Sequence, residues 1–279
     1  MILIKDIFTL QQIIKKEKQK GNTIGFVPTM GALHAGHIAL ITNAKAQNKF
    51  VVCSIFVNPT QFNNLDDLKK YPKTIETDID KLEAGCCDLL FLPSVEEMYP
   101  KGEQNKHYEL GYLETILEGK YRPGHFQGVC IIVDKLLLAV KPTILYLGRK
   151  DYQQCMVIAA MIKLEKHETT LVICDTIRET DGLAMSSRNM RLNGEERQQA
   201  LRIIESLNYF KKNIKIGSLE TLKENTEFFL TENGYKVDYI EIADATTLEI
   251  QNTWDGEKKM VALVAAYLNE VRLIDNIIL

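Results

Sequence analysis

Five short, largely apolar runs constrain this chain more than any other feature: TIGFVPT (23–29), FVVCSIFV (50–57), DLLFLP (88–93), TILYLG (143–148) and TLVICD (170–175). Each has the length of a strand, and β-branched and aromatic residues are frequent among them. None alternates polar with apolar residues, as a strand with one wet face would, so these strands are covered on both sides. Between them lie longer stretches that read as helices: HAGHIALITNAKAQN, YPKTIETDIDKLEAG, FQGVCIIVDKLLLAV and YQQCMVIAAMIKLEK. Strand–helix alternation of this kind predicts a doubly wound, Rossmann-like parallel α/β sheet over residues 1–176. Its ligands should bind at the carboxyl ends of the strands.

The pattern changes after residue 176. Two helix-like stretches (194–212 and 218–232) precede YKVDYIEIAD, KMVALVAAYL and EVRLIDNIIL, which read as antiparallel strands. A smaller α+β domain is expected over 177–279, entered through the polar, glycine-containing RETDGLAMSSRNMRLNGEE. The 279 residues, 46% of them hydrophobic, can support two cores. A net charge of −3 and a pI near 6.0 argue against a nucleic acid as the main partner. The apolar start Met1–Ile4 is cut short by Lys5 and Asp6 and does not read as a signal peptide. The run Val129–Val140 is interrupted by Asp134 and Lys135 and is too short to span a bilayer. A soluble, cytoplasmic protein with no membrane partner is expected. Cysteines stand at 53, 86, 87, 130, 155 and 174 without Cys-x-x-Cys spacing, mostly inside apolar runs. They are expected to be reduced and buried.

The exit of the first of these strands carries the most distinctive chemistry. After Pro28-Thr29 the chain turns through Met30-Gly31-Ala32-Leu33, and a helix is expected to begin near His34. A helix start offers N–H groups and a partial positive charge to anions. His34 and His37, at i and i+3, share one helix face, and Gly36 between them removes a side chain that could block close approach by a ligand. Gly31 to Gly36 has the glycine spacing of a P-loop, but His37-Ile38 stands where Lys-Ser/Thr is required. A zinc site lacks a completing Cys, His or acid nearby. Ordinary structural histidines remain an alternative for the pair taken alone.

Other segments converge on the same rim. GRKDYQQ (148–154) follows a strand end and brings Lys150 and Asp151. LAMSSRN (183–189) brings two hydroxyls and an arginine. FVNPTQF (56–62) brings Asn58 and Gln61. Alone, the first reads as a solvated helix start and the second as a capped turn. Together, a histidine pair, a lysine, a Ser-Ser-Arg and neutral amides suit a nucleoside triphosphate held without a P-loop.

PTMGALHAGH, FVNPTQF, YRPGHFQGV, GRKDYQQ, RETDGLAMSSRN and RLIDN, in this order, resemble the pantoate–β-alanine ligase family of the cytidylyltransferase-like nucleotidyltransferases. The resemblance runs from about residue 20 onward. It implies that pantoate and β-alanine are joined at the expense of ATP through a pantoyl adenylate, with Mg²⁺, in a homodimer. It further implies that His34, His37, Lys150, Ser186, Ser187 and Arg188 are catalytic. The nucleotide would lie along Met30, Gly31, Ala32, Leu33, His34, Ala35, Gly36 and His37. It would also meet Gly148, Arg149, Lys150, Asp151, Ile177 and Met185–Arg188, with Gly148 and Asp151 on the ribose and Ile177 beside the adenine. Gln61 and Gln154 match the family's substrate-binding glutamines. The second domain would act as a lid. Leu147 and Lys73 depart from the pattern, where the family has an aromatic residue and an arginine. Arg122 and His125 receive no role. Asp78 is a candidate for a water-mediated Mg²⁺ contact, with a surface helix charge as the plainer reading. An adenylyltransferase of the same superfamily would share the histidines but leave Gln61 and Gln154 unexplained. A tRNA-charging enzyme would need a basic surface. A nucleotide-sensing module would have no use for Lys150 and Ser-Ser-Arg.

Overall fold

In a computed structural model, residues 1–62, 65–101 and 106–279 are described. All five expected strands are present: β2 (Ile24–Thr29), β3 (Phe50–Ile55), β4 (Leu89–Phe91), β5 (Ile144–Gly148) and β6 (Thr170–Cys174). A sixth, β1 (Ile2–Ile4), completes a sheet of order β1-β4-β3-β2-β5-β6, with every neighbouring pair parallel. The sequence pattern leaves β1 and the following helix Ile7–Gln19 unassigned. Three residues are too few to show a period, but the helix had a local signal. Asp6, which cuts the apolar start short, is its cap, its side chain accepting from the Thr9 N–H at 2.8 Å.

Alternate residues of the strands feed two cores, one on each face. Phe26, Val52, Leu89, Phe91, Leu145 and Leu147 belong to one. Val27, Val51, Cys53, Leu90 and Tyr146 belong to the other. The helices Ala35–Gln47, Ile75–Ala84, His125–Val140 and Tyr152–Leu164 occupy the four stretches read as helical. β2 lies between β3 and β5, so the strand order reverses direction there. That reversal places the loops after β2, β3 and β5 side by side at the carboxyl edge.

The C-terminal part holds its own three-stranded antiparallel sheet of order β11-β10-β8, formed by β8 (Tyr235–Asp244), β10 (Met260–Leu268) and β11 (Val271–Ile278). A two-stranded ribbon pairs β7 (Gly217–Ser218) with β9 (Thr253–Trp254). The helical stretch at 194–212 is two helices, Gly194–Gln199 and Leu201–Asn213, meeting at Ala200. The next helix begins at Glu220, because Ser218 pairs in the ribbon. A separate core gathers Ile203, Leu207, Phe210, Leu230, Ile242, Ala262 and Val264. By internal contacts the chain forms two compact units. The first is Met1–Arg149 with Gln154–Asp175; the second is Lys150–Gln153 with Thr176–Leu279. Among the described residues no helix is long and apolar enough to cross a membrane.

All six cysteines are free thiols, and five are buried; only Cys86 is exposed. Burial pushes the Cys87 thiol up to about 11 and the Cys130 thiol up to about 12, and raises Cys53 well above its ordinary value. In the native protein at neutral pH, a disulfide reagent that reports released thiolate should therefore react rapidly with one thiol and slowly with the rest. All six should react after denaturation. Two or more fast equivalents would contradict this packing.

Candidate active site

The turn after β2 is bent and strapped. Gly31 has φ +82° and Ala32 φ +49°, both left-handed, and Ala32 is not a residue that favours this region. The strap is Asp78, on the helix Ile75–Ala84. Its two oxygens accept from the Ala32 and Leu33 N–H groups, each at 2.8 Å, and Thr74 Oγ1 donates to the same carboxylate at 3.2 Å. One helical turn on, Lys81 Nζ donates to the Leu33 carbonyl at 2.6 Å. Asp78 is 1% exposed, which overturns its reading as a surface helix charge. Buried backbone donors must be satisfied, and here a carboxylate satisfies two at once.

The strapped turn delivers His34 as the cap of the helix Ala35–Gln47, in extended conformation. The rings of His34 and His37 lie 4.0 Å apart between centroids, as their shared face requires. His37 Nδ1 accepts from the His34 N–H at 3.2 Å. That bond assigns the tautomer: the neutral ring carries its proton on Nε2, leaving an N–H donor on the far side of the ring.

The loop after β3 is built around Asn58, 1% exposed. Its Nδ2 donates to Gln61 Oε1 at 3.2 Å and to the Gly128 carbonyl at 3.1 Å. Its Oδ1 accepts from Tyr99 Oη at 2.7 Å and Thr60 Oγ1 at 3.0 Å. Gln61 is thereby oriented with its oxygen occupied and its Nε2 as donor, 2.8 Å from Met30 Sδ. The loops after β2 and β3 thus meet at Met30 and Gln61. The Gln61 carbonyl is held by His125 Nδ1 at 2.8 Å and by Arg122 Nη2 at 3.5 Å. Arg122 also pairs with Glu118 at 3.3 Å. The helix His125–Val140 can approach only because Gly128 has no side chain: a Cβ there would stand 2.4 Å from the Thr60 carbonyl oxygen. Arg122 and His125, given no role from sequence, therefore support Gln61. The available signal was His125 and Gly128, three apart on one helix face.

β5 ends in Gly148, and the next residue, Arg149, pairs with Asp175 just beyond β6. Gln154 lies in the first unit, near the start of the helix Tyr152–Leu164.

The other expected residues belong to the second unit. Lys150 is 17% exposed in its side chain, with Nζ 3.8 Å from Asp151 Oδ1. Ile177 and Met185 face each other in a small hairpin: Met185 N–H donates to the Ile177 carbonyl at 3.0 Å, and Arg178 bridges Ala184. The hairpin runs into Ser186, which caps the short 3₁₀ turn Ser187–Arg191 through its Oγ and the Arg188 N–H at 3.2 Å. Ser187 is buried, and Asn189 Nδ2 ties the turn back to the Ala184 carbonyl at 3.0 Å. Among the described residues no cluster of three His, Cys, Asp or Glu side chains could hold a metal ion.

A central strand that runs into a His-x-Gly-His helix start, at the reversal point of a doubly wound sheet, defines an α/β protein of the Rossmann-like class. A family model described as pantoate-beta-alanine ligase matches residues 2–278. Pantothenate synthetase from Bacteroides fragilis is 43% identical over 280 residues, covering 99% of this chain and 98% of that protein. The enzyme from Fervidobacterium nodosum is 42% identical, covering 100% and 99%. The crystal structure of pantothenate synthetase from Thermus thermophilus superposes with a TM-score of 0.91 at 38% identity, covering 99% of both chains. The Francisella tularensis ligase, described as complexed with beta-gamma ATP and beta-alanine, superposes with a TM-score of 0.83 at 40% identity, covering 99% and 97%. The chain belongs to the pantoate-beta-alanine ligase family.

The Asp78 strap has a measurable consequence. Asp78→Ala removes the carboxylate that accepts from the buried Ala32 and Leu33 N–H groups. Loss of two charge-assisted bonds should cost about 2–4 kcal/mol of unfolding free energy in urea. An unchanged midpoint would mean that the turn holds itself.

Proposed function

We propose that this chain condenses pantoate with β-alanine to pantothenate, using ATP, through a pantoyl adenylate, with release of pyrophosphate and then AMP. The observation that carries this reading is the junction of the loops after β2 and β3. An oriented amide donor, Gln61, meets the residue that opens the histidine-capped turn, Met30, at 2.8 Å. A carboxylate held by the one would lie next to a phosphate held by the other. The family membership and the ligand named for the Francisella relative support the choice of substrates.

In the first step the pantoate carboxylate attacks the α-phosphorus and pyrophosphate leaves. Negative charge grows on the α-phosphate oxygens and the leaving group. The groups proposed to meet it are His37 through its Nε2–H, His34, Lys150, Ser186, Ser187 and Arg188. The backbone from Met30 through Gly31, Ala32, Leu33, Ala35 and Gly36 to His37 cradles the phosphates. Gly148, Arg149 and Asp151 meet the ribose side, and Ile177 and Met185 the base. Gln61 and Gln154 hold pantoate by neutral amides, which orient a carboxylate while leaving it nucleophilic, where an arginine would damp it. In the second step the amine of β-alanine attacks the acyl carbon, and AMP departs with one former carboxylate oxygen.

Mg²⁺ would supply charge neutralisation on the triphosphate. Magnesium keeps several waters and binds substrate phosphates readily, which suits a chain whose Asp78 oxygens are already engaged by backbone donors. A cytoplasmic homodimer belongs to the same reading.

The test follows the oxygen. Pantoate labelled with ¹⁸O in its carboxylate should pass one label to AMP during turnover. Label in inorganic phosphate, with ADP as co-product, would overturn the adenylate. The donors are tested separately. His37→Ala or Lys150→Ala should slow pyrophosphate–ATP exchange in the presence of pantoate by about 10²–10³-fold with circular dichroism unchanged. A folded variant exchanging at the wild-type rate removes that residue from the catalytic set.

A further inference from the structure

The motif RLIDN, residues 272–276, has no task in the chemistry above. Its last two residues are among the most buried polar groups of the second unit, Asp275 and Asn276 each being 4% exposed. They are consecutive in β11, and consecutive strand side chains leave on opposite faces. One dipeptide can therefore reach two separate segments, and it does.

Asp275 takes the guanidinium of Arg178 in two parallel bonds, Nη1 to Oδ2 at 2.6 Å and Nη2 to Oδ1 at 3.1 Å. Arg178 also donates to the Gly182 carbonyl at 3.1 Å and to the Asn276 carbonyl at 3.4 Å. These bonds tie the first strand and the turn of the hairpin that runs into Ser186 to β11. Asn276 turns its amide to the other segment, its Nδ2 donating to the Lys150 carbonyl at 2.8 Å. The backbone N–H of Asn276 donates to Asp275 Oδ1 at 2.8 Å, which orients the carboxylate that receives Arg178.

The grouping of the chain carries the same message independently. Lys150–Gln153 clusters with the second unit, although Arg149 before it and Gln154 after it cluster with the first. Tyr152 Oη donates to the Ala245 carbonyl at 2.5 Å, a second tie within that unit. Lys150 and the Ser186–Arg188 turn are thus built on one sheet.

We propose that Asp275 and Asn276 are positioning residues that hold Lys150 and the Ser186–Arg188 turn in one frame, so that the cations and hydroxyls acting on the triphosphate keep a fixed spacing. This rests on the adenylation reading above. Neither residue touches substrate; each acts through the segment it holds. A displacement of about 1 Å in a charge-stabilising group can cost about 10²-fold in rate.

The experiment is a pair of double-mutant cycles read by pyrophosphate–ATP exchange in the presence of pantoate. Asn276→Asp replaces the donor to the Lys150 carbonyl with an acceptor. Asp275→Asn keeps the shape but breaks the bidentate pair. Each single variant should lower the maximal exchange rate by about 10²-fold and leave the KM for pantoate unchanged. Combined with Lys150→Ala, Asn276→Asp should cost nothing further; combined with Arg188→Ala, neither should Asp275→Asn. Melting curves confirm that each variant is folded. Should Asn276→Asp not fold, Asn276→Ser, whose hydroxyl is too short for the Lys150 carbonyl, takes its place. Wild-type exchange by either single variant, or fully additive losses in either cycle, overturns the proposal while leaving the adenylation reading in place. Wild-type exchange by both Lys150→Ala and Arg188→Ala would instead remove the phosphate-binding reading, and this proposal with it.

Discussion

A buried carboxylate bonded to two adjacent backbone N–H groups is the interaction on which the geometry of the histidine-capped turn depends. Asp78 accepts from both the Ala32 and the Leu33 N–H groups, and Ala32 sits in a left-handed backbone region that non-glycine residues rarely adopt. The turn fixes the entry angle of the helix Ala35–Gln47. That angle sets where His34 caps and where His37 can accept from the His34 N–H. The tautomer of a histidine on one helix is thus decided by an acid on another. The sheet supplies the platform, since both elements pack on it, but the charge and the two donors set the geometry.

The same logic recurs at the neighbouring loop with neutral groups. Asn58 acts as a junction whose amide and carbonyl oxygen each serve two partners, and the consequence is an amide at Gln61 that can point only one way. Close approach of the helix His125–Val140, through Gly128, brings His125 onto the Gln61 carbonyl. A residue proposed to hold an anionic substrate without neutralising it would need this support. A free glutamine would lose rotamer entropy on every binding event, whereas this one has already been ordered by folding.

The legible part of this architecture was the part that is local in sequence. Apolar runs gave five of the six strands of the parallel sheet, most plainly the inner ones, because a strand covered on both faces has no polar positions to blur the signal. The histidine cap could be read because strand exit, turn and helix start fall within about ten residues. Asp78 could not be read: its partners are 45 and 46 residues away, and on its own helix it looks like one acid among several. His125 lies 64 residues from the carbonyl it holds, and Asn58 lies 70 from Gly128. Periodicity reports burial of apolar faces but says nothing about which polar group will be drawn in with them. The membership of Lys150–Gln153 in the second unit was illegible for the same reason, since its decisive tie reaches across 126 residues to Asn276.

That long tie has a consequence for how the protein comes into being. Chains emerge from the ribosome at about 5–20 residues per second, and domains tend to fold as their last element appears. A nascent chain that has passed β6 already contains the whole parallel sheet, with its histidine cap and its oriented glutamine. It also contains Lys150, but neither Asn276, which donates to that lysine's carbonyl, nor Asp275, which receives Arg178, has yet been made. The parallel sheet and its histidine-capped turn are therefore complete well before β11, the strand that carries both ties of the second unit, is laid down.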